Sequence, residues 1–300
     1  MLHNLNHKLS IPTWVLILIA IMISLIYPKF GLNFQPYITP LMMALMFFSF
    51  LNINFQSLSD NLHHIKKPSE ILLIVHFLSP ILVLLLKPYL DPQIFLGLII
   101  AASTAAGVST VFLSSLFKGN PNTALLITFT SHMLAPILIP LVIYIFTRQV
   151  IDINYIAISF TIIKLIIIPL LLAMFFHHFK AYKKVVPYAS KISSFILFFV
   201  ILGIISPVQK FLVENIKLTF LLVAIIIGLT TINFLVGYFL GKTKEEKITY
   251  GICANYKNYA LASIIALSNF EPVVAIPAAV YGLVNNFFLI PLQFFLHSKK

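Results

Sequence analysis

The 300-residue sequence is 60% hydrophobic and only 9% charged, with a mean hydropathy of +1.02. Soluble domains carry roughly 25% charged residues, so this composition excludes a water-soluble globular protein. The net charge of +12 does not make nucleic acid a partner, because the Lys residues sit at the ends of apolar runs and form no basic soluble face. The one cysteine, Cys253, excludes an internal disulfide.

A membrane helix needs about 20 apolar residues. Apolar runs set against polar punctuation predict ten spans, at 11–28, 37–54, 70–87, 93–117, 123–147, 155–177, 189–208, 217–240, 248–270 and 273–297. The first, IPTWVLILIAIMISLIY, lacks a small-residue cleavage site and runs straight into the second, so it reads as an uncleaved helix and not as a signal peptide. Short breaker-rich connections follow: YPKFGLNFQP, KPYLDP, KGNPN and NFEP. The expectation is an all-α integral membrane protein, one transporter-sized domain over 1–300 with no room for a soluble module.

Orientation follows from the basic residues. With a cytoplasmic N-terminus, one side holds Lys8, Lys66, Lys67, Lys118, Lys180, Lys183, Lys184, Lys242, Lys244, Lys247, Lys299 and Lys300. The other holds Lys29, Lys87, Arg148, Lys210 and Lys217. The positive-inside rule then puts both termini in the cytoplasm of a multi-pass protein of the cell (inner) membrane. Ten spans divide into two sets of five, 11–147 and 155–297, and an odd number per set inverts the second. Spans 4 and 9 both carry polar, helix-weakening stretches, and spans 5 (LAPILIP) and 10 (AIPAAVYGLVNNFFLIP) are both Pro-interrupted. Interrupted segments at matching places of inverted halves point to a midplane transport site.

The carboxylates Asp60, Glu70, Asp91, Asp152, Glu214, Glu245, Glu246 and Glu271 all fall at span ends or in loops. That removes the usual intramembrane proton carrier and the anionic ligand of a tight Na⁺ site. In span 4, STAAGVST offers Ser103, Thr104, Ser109 and Thr110 around Gly107, which alone reads as a small-residue packing face. Span 9 is different. ANYKNYALAS puts Asn255, Lys257 and Asn258 on several helix faces, which lipid does not tolerate, so protein or water must surround it and the helix is open to unwinding. Lys257 lies roughly 13 Å into its span at 1.5 Å per residue, where a lysine costs at least about 2.5 kcal/mol. It reads as a site residue. Lys164 in span 6 is a weaker candidate, with a span-end location as its plainer reading. His76 and His132 read first as interhelical hydrogen-bonders, and Asn285 and Asn286 as interhelical contacts of which one faces the site.

Two stretches, GVSTVFLSSLFKGNPNTALLITFTSHMLAPILIPL (107–141) and CANYKNYALASIIALSNFEPVVAIPAAVYGLVNN (253–286), resemble the bile acid:sodium symporter family. The first is similar to its G-x-x-S-N, Gly-Asn turn and APLLTP-like run, the second to its E-x-G-x-Q-N-x-x-L-A segment. The resemblance implies two inverted five-helix repeats, broken helices 4 and 9 crossing at the substrate site, and two Na⁺ sites. The departures fall on those ion sites. Cys253 stands where the family has Glu, Asn255 where it has Gly and Lys257 where it has Gln, while Asn258 keeps the motif residue. Thr110 and Val111 stand at the Ser-Asn pair, Ala124 at a family Ser, Thr128 at a family Thr and His76 at or beside a family Gln.

The reading is a secondary transporter, not an enzyme, moving a small organic anion of carboxylate type by alternating access. Lys257 replaces a bound cation, no metal is expected at the degenerate positions Cys253, Lys257, Thr110 and Thr128, and no cofactor is needed. The substrate-binding set is Lys257, Asn258, Asn255, Ser109, Thr110, Thr128, His76, His132 and Asn286. An unpaired Lys257 would also couple substrate to H⁺. The partners are the anion and membrane lipid, with the chain a monomer or weak homo-oligomer. The alternative is a Na⁺-coupled bile acid or organic anion symporter using Thr128, Asn258, Asn255 and backbone carbonyls. Arsenite-type carriers rank lower, since span 4 has no Cys. A membrane-embedded receptor or enzyme also ranks lower, since metal, triad and phosphate-loop motifs are missing.

Overall fold

The computed structural model describes residues 13–53, 58, 69–147 and 153–297. Lys8, Lys66, Lys67, Arg148, Lys299, Lys300, Asp60, Asp152 and both chain ends lie outside them. Among the described residues the structure is helical, with no strand and one isolated bridge, Ala106 with Lys257. Five helical stretches are long and apolar enough to cross a membrane: Pro28–Leu51, Pro121–Thr147, Tyr155–Phe176, Tyr182–Glu214 and Ile216–Leu240. Shorter apolar helices fill the rest: Val15–Ile26, Ser69–Leu84, Pro92–Ser103, Tyr259–Asn269 and Pro272–Phe288. The described carboxylates all lie outside the buried core.

In chain order the helices are α1 (Thr13–Ile26), α2 (Pro28–Leu32), α3 (Ile38–Leu51), α4 (Ser69–Leu73), α5 (Ser79–Leu84), α6 (Pro92–Ser103), α7 (Thr110–Leu116) and α8 (Pro121–Thr147). There follow α9 (Tyr155–Phe176), α10 (Tyr182–Ile205), α11 (Gln209–Glu214), α12 (Ile216–Leu240), α13 (Lys244–Asn255), α14 (Tyr259–Asn269) and α15 (Ile276–His297). A π-turn, Ile74–Leu78, joins α4 to α5. Such turns widen the hydrogen-bond ladder locally and are frequent at functional sites.

The starts of the helices that lead to the site have sequence causes. Asp91 caps α6 by accepting from Gln93 N at 2.8 Å and Ile94 N at 3.4 Å, with Pro92 at the first helical position. Thr243 and Glu246 close a capping box on α13. That helix packs tightly along α12 because Gly237 is bare there: a Cβ would come 2.5 Å from the Tyr250 carbonyl oxygen. Helix α3 lies between α9 and α10, and α1 packs on α10.

The fold departs from the sequence reading in two places. Spans 5 and 10 are not interrupted: α8 runs unbroken through Pro136 and Pro140, and α15 runs from Ile276 to His297. Each proline removes one rung of the ladder, and the buried packing of α8 holds the helix together around the gap. Lys164 is exposed, which removes it from the site. The KGNPN turn places Lys118 in the left-handed region at φ 63°. It ends α7 as a Schellman motif, with Gly119 N donating to Ser114 O at 2.7 Å and Lys118 N to Ser115 O at 3.2 Å. Since a Cβ costs about 1 kcal/mol or more in that conformation, Lys118→Gly is expected to raise the thermal midpoint. A lower midpoint would refute the strained-cap account.

Candidate functional site

Two helices break, and the breaks touch. One lies between Ser103 and Thr110, the other between Asn255 and Tyr259. Gly107 N donates to Tyr256 O at 2.7 Å and Asn258 N donates to Ala105 O at 2.9 Å, forming the antiparallel bridge between Ala106 and Lys257. These bonds satisfy backbone groups that the missing helical turns would leave bare in a membrane. Gly107 lies at a close approach: a Cβ there would sit 3.2 Å from the Lys257 carbonyl oxygen, a few tenths of an ångström inside an ordinary contact.

Lys257 is only 2% exposed, and its ammonium donates to the Val75 carbonyl in the π-turn. The C-terminal ends of α6 and α13 also point their carbonyl-rich, partly negative ends at the crossing. A carbonyl and two helix ends thus offset a charge that has no carboxylate beside it among the described residues.

His76, one residue on, is fully buried beside Lys257. Its Nδ1 lies 2.9 Å from Ser103 O, and its Nε2 lies 2.9 Å from Ser131 Oγ. A carbonyl can only accept, so Nδ1 carries the proton and Nε2 accepts from the Ser131 hydroxyl. Ser131 Oγ in turn accepts from Ala106 N at 3.1 Å. The π-turn, the end of α6, the first break and α8 are therefore joined through one imidazole and one hydroxyl.

His132 is built the same way. Its Nδ1 donates to Thr128 O at 2.8 Å and its Nε2 accepts from Asn258 Nδ2 at 3.3 Å. Asn258 also caps α14, with Oδ1 accepting from Leu261 N at 3.1 Å. Thr110 donates to Gly107 O at 2.8 Å and so accepts from the Thr128 hydroxyl 2.6 Å away, with the Cys253 thiol beside it. These hydroxyls face one another.

The geometry thus gathers His76, Lys257, Thr110, Thr128, Cys253, His132 and Asn258 around the crossing. Asn255 is fully buried there with neither amide atom partnered, only its backbone carbonyl reached by Tyr281 OH at 3.4 Å. Ser109 is exposed and makes no side-chain cap. Asn286 is bonded to Gly282 O at 2.7 Å and lies beside Tyr259, which follows the second break. Ser131, Tyr281 and the Val75 carbonyl are the participants that sequence reasoning missed. A polar triplet at 128, 131 and 132 marks one helix face and could have revealed Ser131; a backbone carbonyl has no such signal.

A family model described as the sodium bile acid symporter family matches residues 39–216, which include the first break but not the second. Two Bacillus subtilis (strain 168) proteins are similar. "Uncharacterized protein YbaS" is 23% identical over 266 residues, 81% of this chain and 86% of that protein. "Uncharacterized sodium-dependent transporter YocS" is 23% identical over 203 residues, 66% of this chain and 63% of that protein. With more than half of its length matched, this chain belongs to the sodium bile acid symporter family, a family of membrane transporters and not of enzymes.

Proposed function

We propose that the protein carries a small organic anion of carboxylate type across the cell membrane by alternating access, without Na⁺, and that Lys257 stands in for a bound cation. The observation that carries this reading is the buried Lys257 ammonium at the meeting of two helix breaks, held by the Val75 carbonyl. The donors nearby suit Na⁺ poorly. They include a thiol, two hydroxyls already bonded to each other and a positively charged amine, where a hard cation takes several free oxygen ligands. An organic anion instead meets a fixed positive charge and the N-terminal ends of α7 and α14. Lys257, Asn258, Asn255, Ser109, Thr110, Thr128, His76, His132 and Asn286 form the proposed binding region. In this reading ten helices make two inverted five-helix repeats, about 11–147 and 155–297, with both termini cytoplasmic and the chain working as a monomer or weak homo-oligomer. Discharge of Lys257 after the anion leaves would couple the cycle to H⁺.

Na⁺-coupled symport is the second reading. It is favoured by the unpartnered amide of Asn255, whose oxygen is free to meet an ion, and by the sodium dependence in the name of YocS. The test is thermal stabilisation of the purified protein by small and steroidal carboxylates, in NaCl and in choline chloride. Equal stabilisation in both salts is expected. Stabilisation confined to NaCl would replace the first reading with the second.

A further inference from the structure

Away from the crossing, an apolar groove of about 590 Å³ runs between α3 and α9, within the usual size range of ligand pockets, about 300–1,000 Å³. Its lining includes Ala44, Phe47, Leu172, Phe175 and Phe179, and reaches Ala181 in the turn after α9. The rings brace one another: Phe47 and Phe176 meet edge-on at 5.8 Å, and Phe175 and Phe179 at 5.0 Å. Leu172, Phe175 and Phe179 are exposed, so the groove opens outward and not toward the helix breaks.

The mouth is as basic as the groove is apolar. The turn leaving α9 reads HHFKAYKK, and Lys180, Lys183 and Lys184 are all exposed there. No Asp or Glu occurs anywhere between residues 153 and 213. The ion pair found among the described residues, Lys210 with Glu214, lies at another helix end. Helix α10 begins at this turn, and its capping position is Ala181, which has no side-chain acceptor for the first N–H groups. The positive end of a 24-residue helix therefore adds to three lysines. The turn is tied down, since Tyr182 OH donates to Leu51 O at 3.3 Å and the His177 and Tyr182 rings stack at 4.0 Å.

We infer that this groove and turn form a binding site for an anionic phospholipid, with an acyl chain in the groove between α3 and α9 and the headgroup phosphate at Lys180, Lys183 and Lys184. The groove offers a free organic anion nothing polar, and the mouth gives a zwitterionic headgroup no reason to be preferred. An anionic amphiphile satisfies both halves. Basic clusters beside membrane helices select anionic lipids in this way.

The test is native mass spectrometry of the full chain with equal amounts of phosphatidylglycerol and phosphatidylcholine. Retained phosphatidylglycerol is expected to exceed phosphatidylcholine at least tenfold. Each surface lysine contributes roughly fivefold to anionic-lipid attraction, so K180Q/K183Q/K184Q is expected to erase the preference. Ala44→Trp, which fills the groove, and Leu172→Glu, an exposed change that places a carboxylate in it, are each expected to reduce retained phosphatidylglycerol with the lysines intact. Equal retention of both lipids by the unmodified chain would overturn the inference. So would full retention in Ala44→Trp and Leu172→Glu, since charge alone would then account for binding without the groove.

Discussion

Lys257→Gln is expected to remove stabilisation by carboxylates in choline chloride, weakening binding roughly 50-fold. The figure follows from one unit charge about 7 Å from the anion at an effective dielectric of about 20, worth about 2.4 kcal/mol. The substituted amide can still donate to Val75, so the crossing is expected to survive and the loss to fall on the ligand. Lys257→Met is the harsher variant, because it also leaves the Val75 carbonyl without its Lys257 partner. A further variant asks what the amine replaced. Cys253→Glu with Lys257→Gln restores the family's acidic and amide residues around Thr110 and Thr128. It removes the positive charge and supplies a carboxylate to a cation. This double variant is expected to bind the same carboxylates only when Na⁺ is present. If Lys257→Gln binds as tightly as the parent in choline chloride, the amine does not take a cation's place.

What could be read from the chain beforehand follows physical lines. Apolar runs located the long helices because lipid demands uncharged stretches, while the short α2 and α11 formed in segments expected to be connections. Lys257 and its neighbouring amides marked the second break because buried polar groups are costly there, and Asn258 is the kind of residue that caps a helix. Pro136 and Pro140 misled, since a packed membrane helix absorbs the lost rungs. The π-turn at 74–78 was invisible, because IVHFL has no feature that separates a π from an α ladder. The partner of Lys257 was invisible for a related reason: it is a main-chain oxygen 182 residues away in sequence.

Ser131→Ala is expected to be the most destabilising single atom removal at the crossing. Its hydroxyl is the one partner seen for two buried groups, the Ala106 N–H and His76 Nε2. Leaving each unpaired costs about 1–3 kcal/mol, so the two together cost about 2–6 kcal/mol. Ser131→Thr keeps the oxygen and is expected to retain most of the stability. The pathway through the imidazole makes a sharper claim, which a double-mutant cycle with His76→Ala tests. Once the imidazole is gone, Ser131→Ala orphans only the Ala106 N–H, so the double variant is expected to lose about 1–2 kcal/mol less than the two single losses added. His76 also anchors the π-turn to the end of α6 through Ser103 O. The π-turn in turn presents Val75 to Lys257. The same variants are therefore expected to weaken carboxylate binding in choline chloride, Ser131→Ala through the π-turn alone. Strict additivity would separate His76 from Ser131 and refute the link through the imidazole.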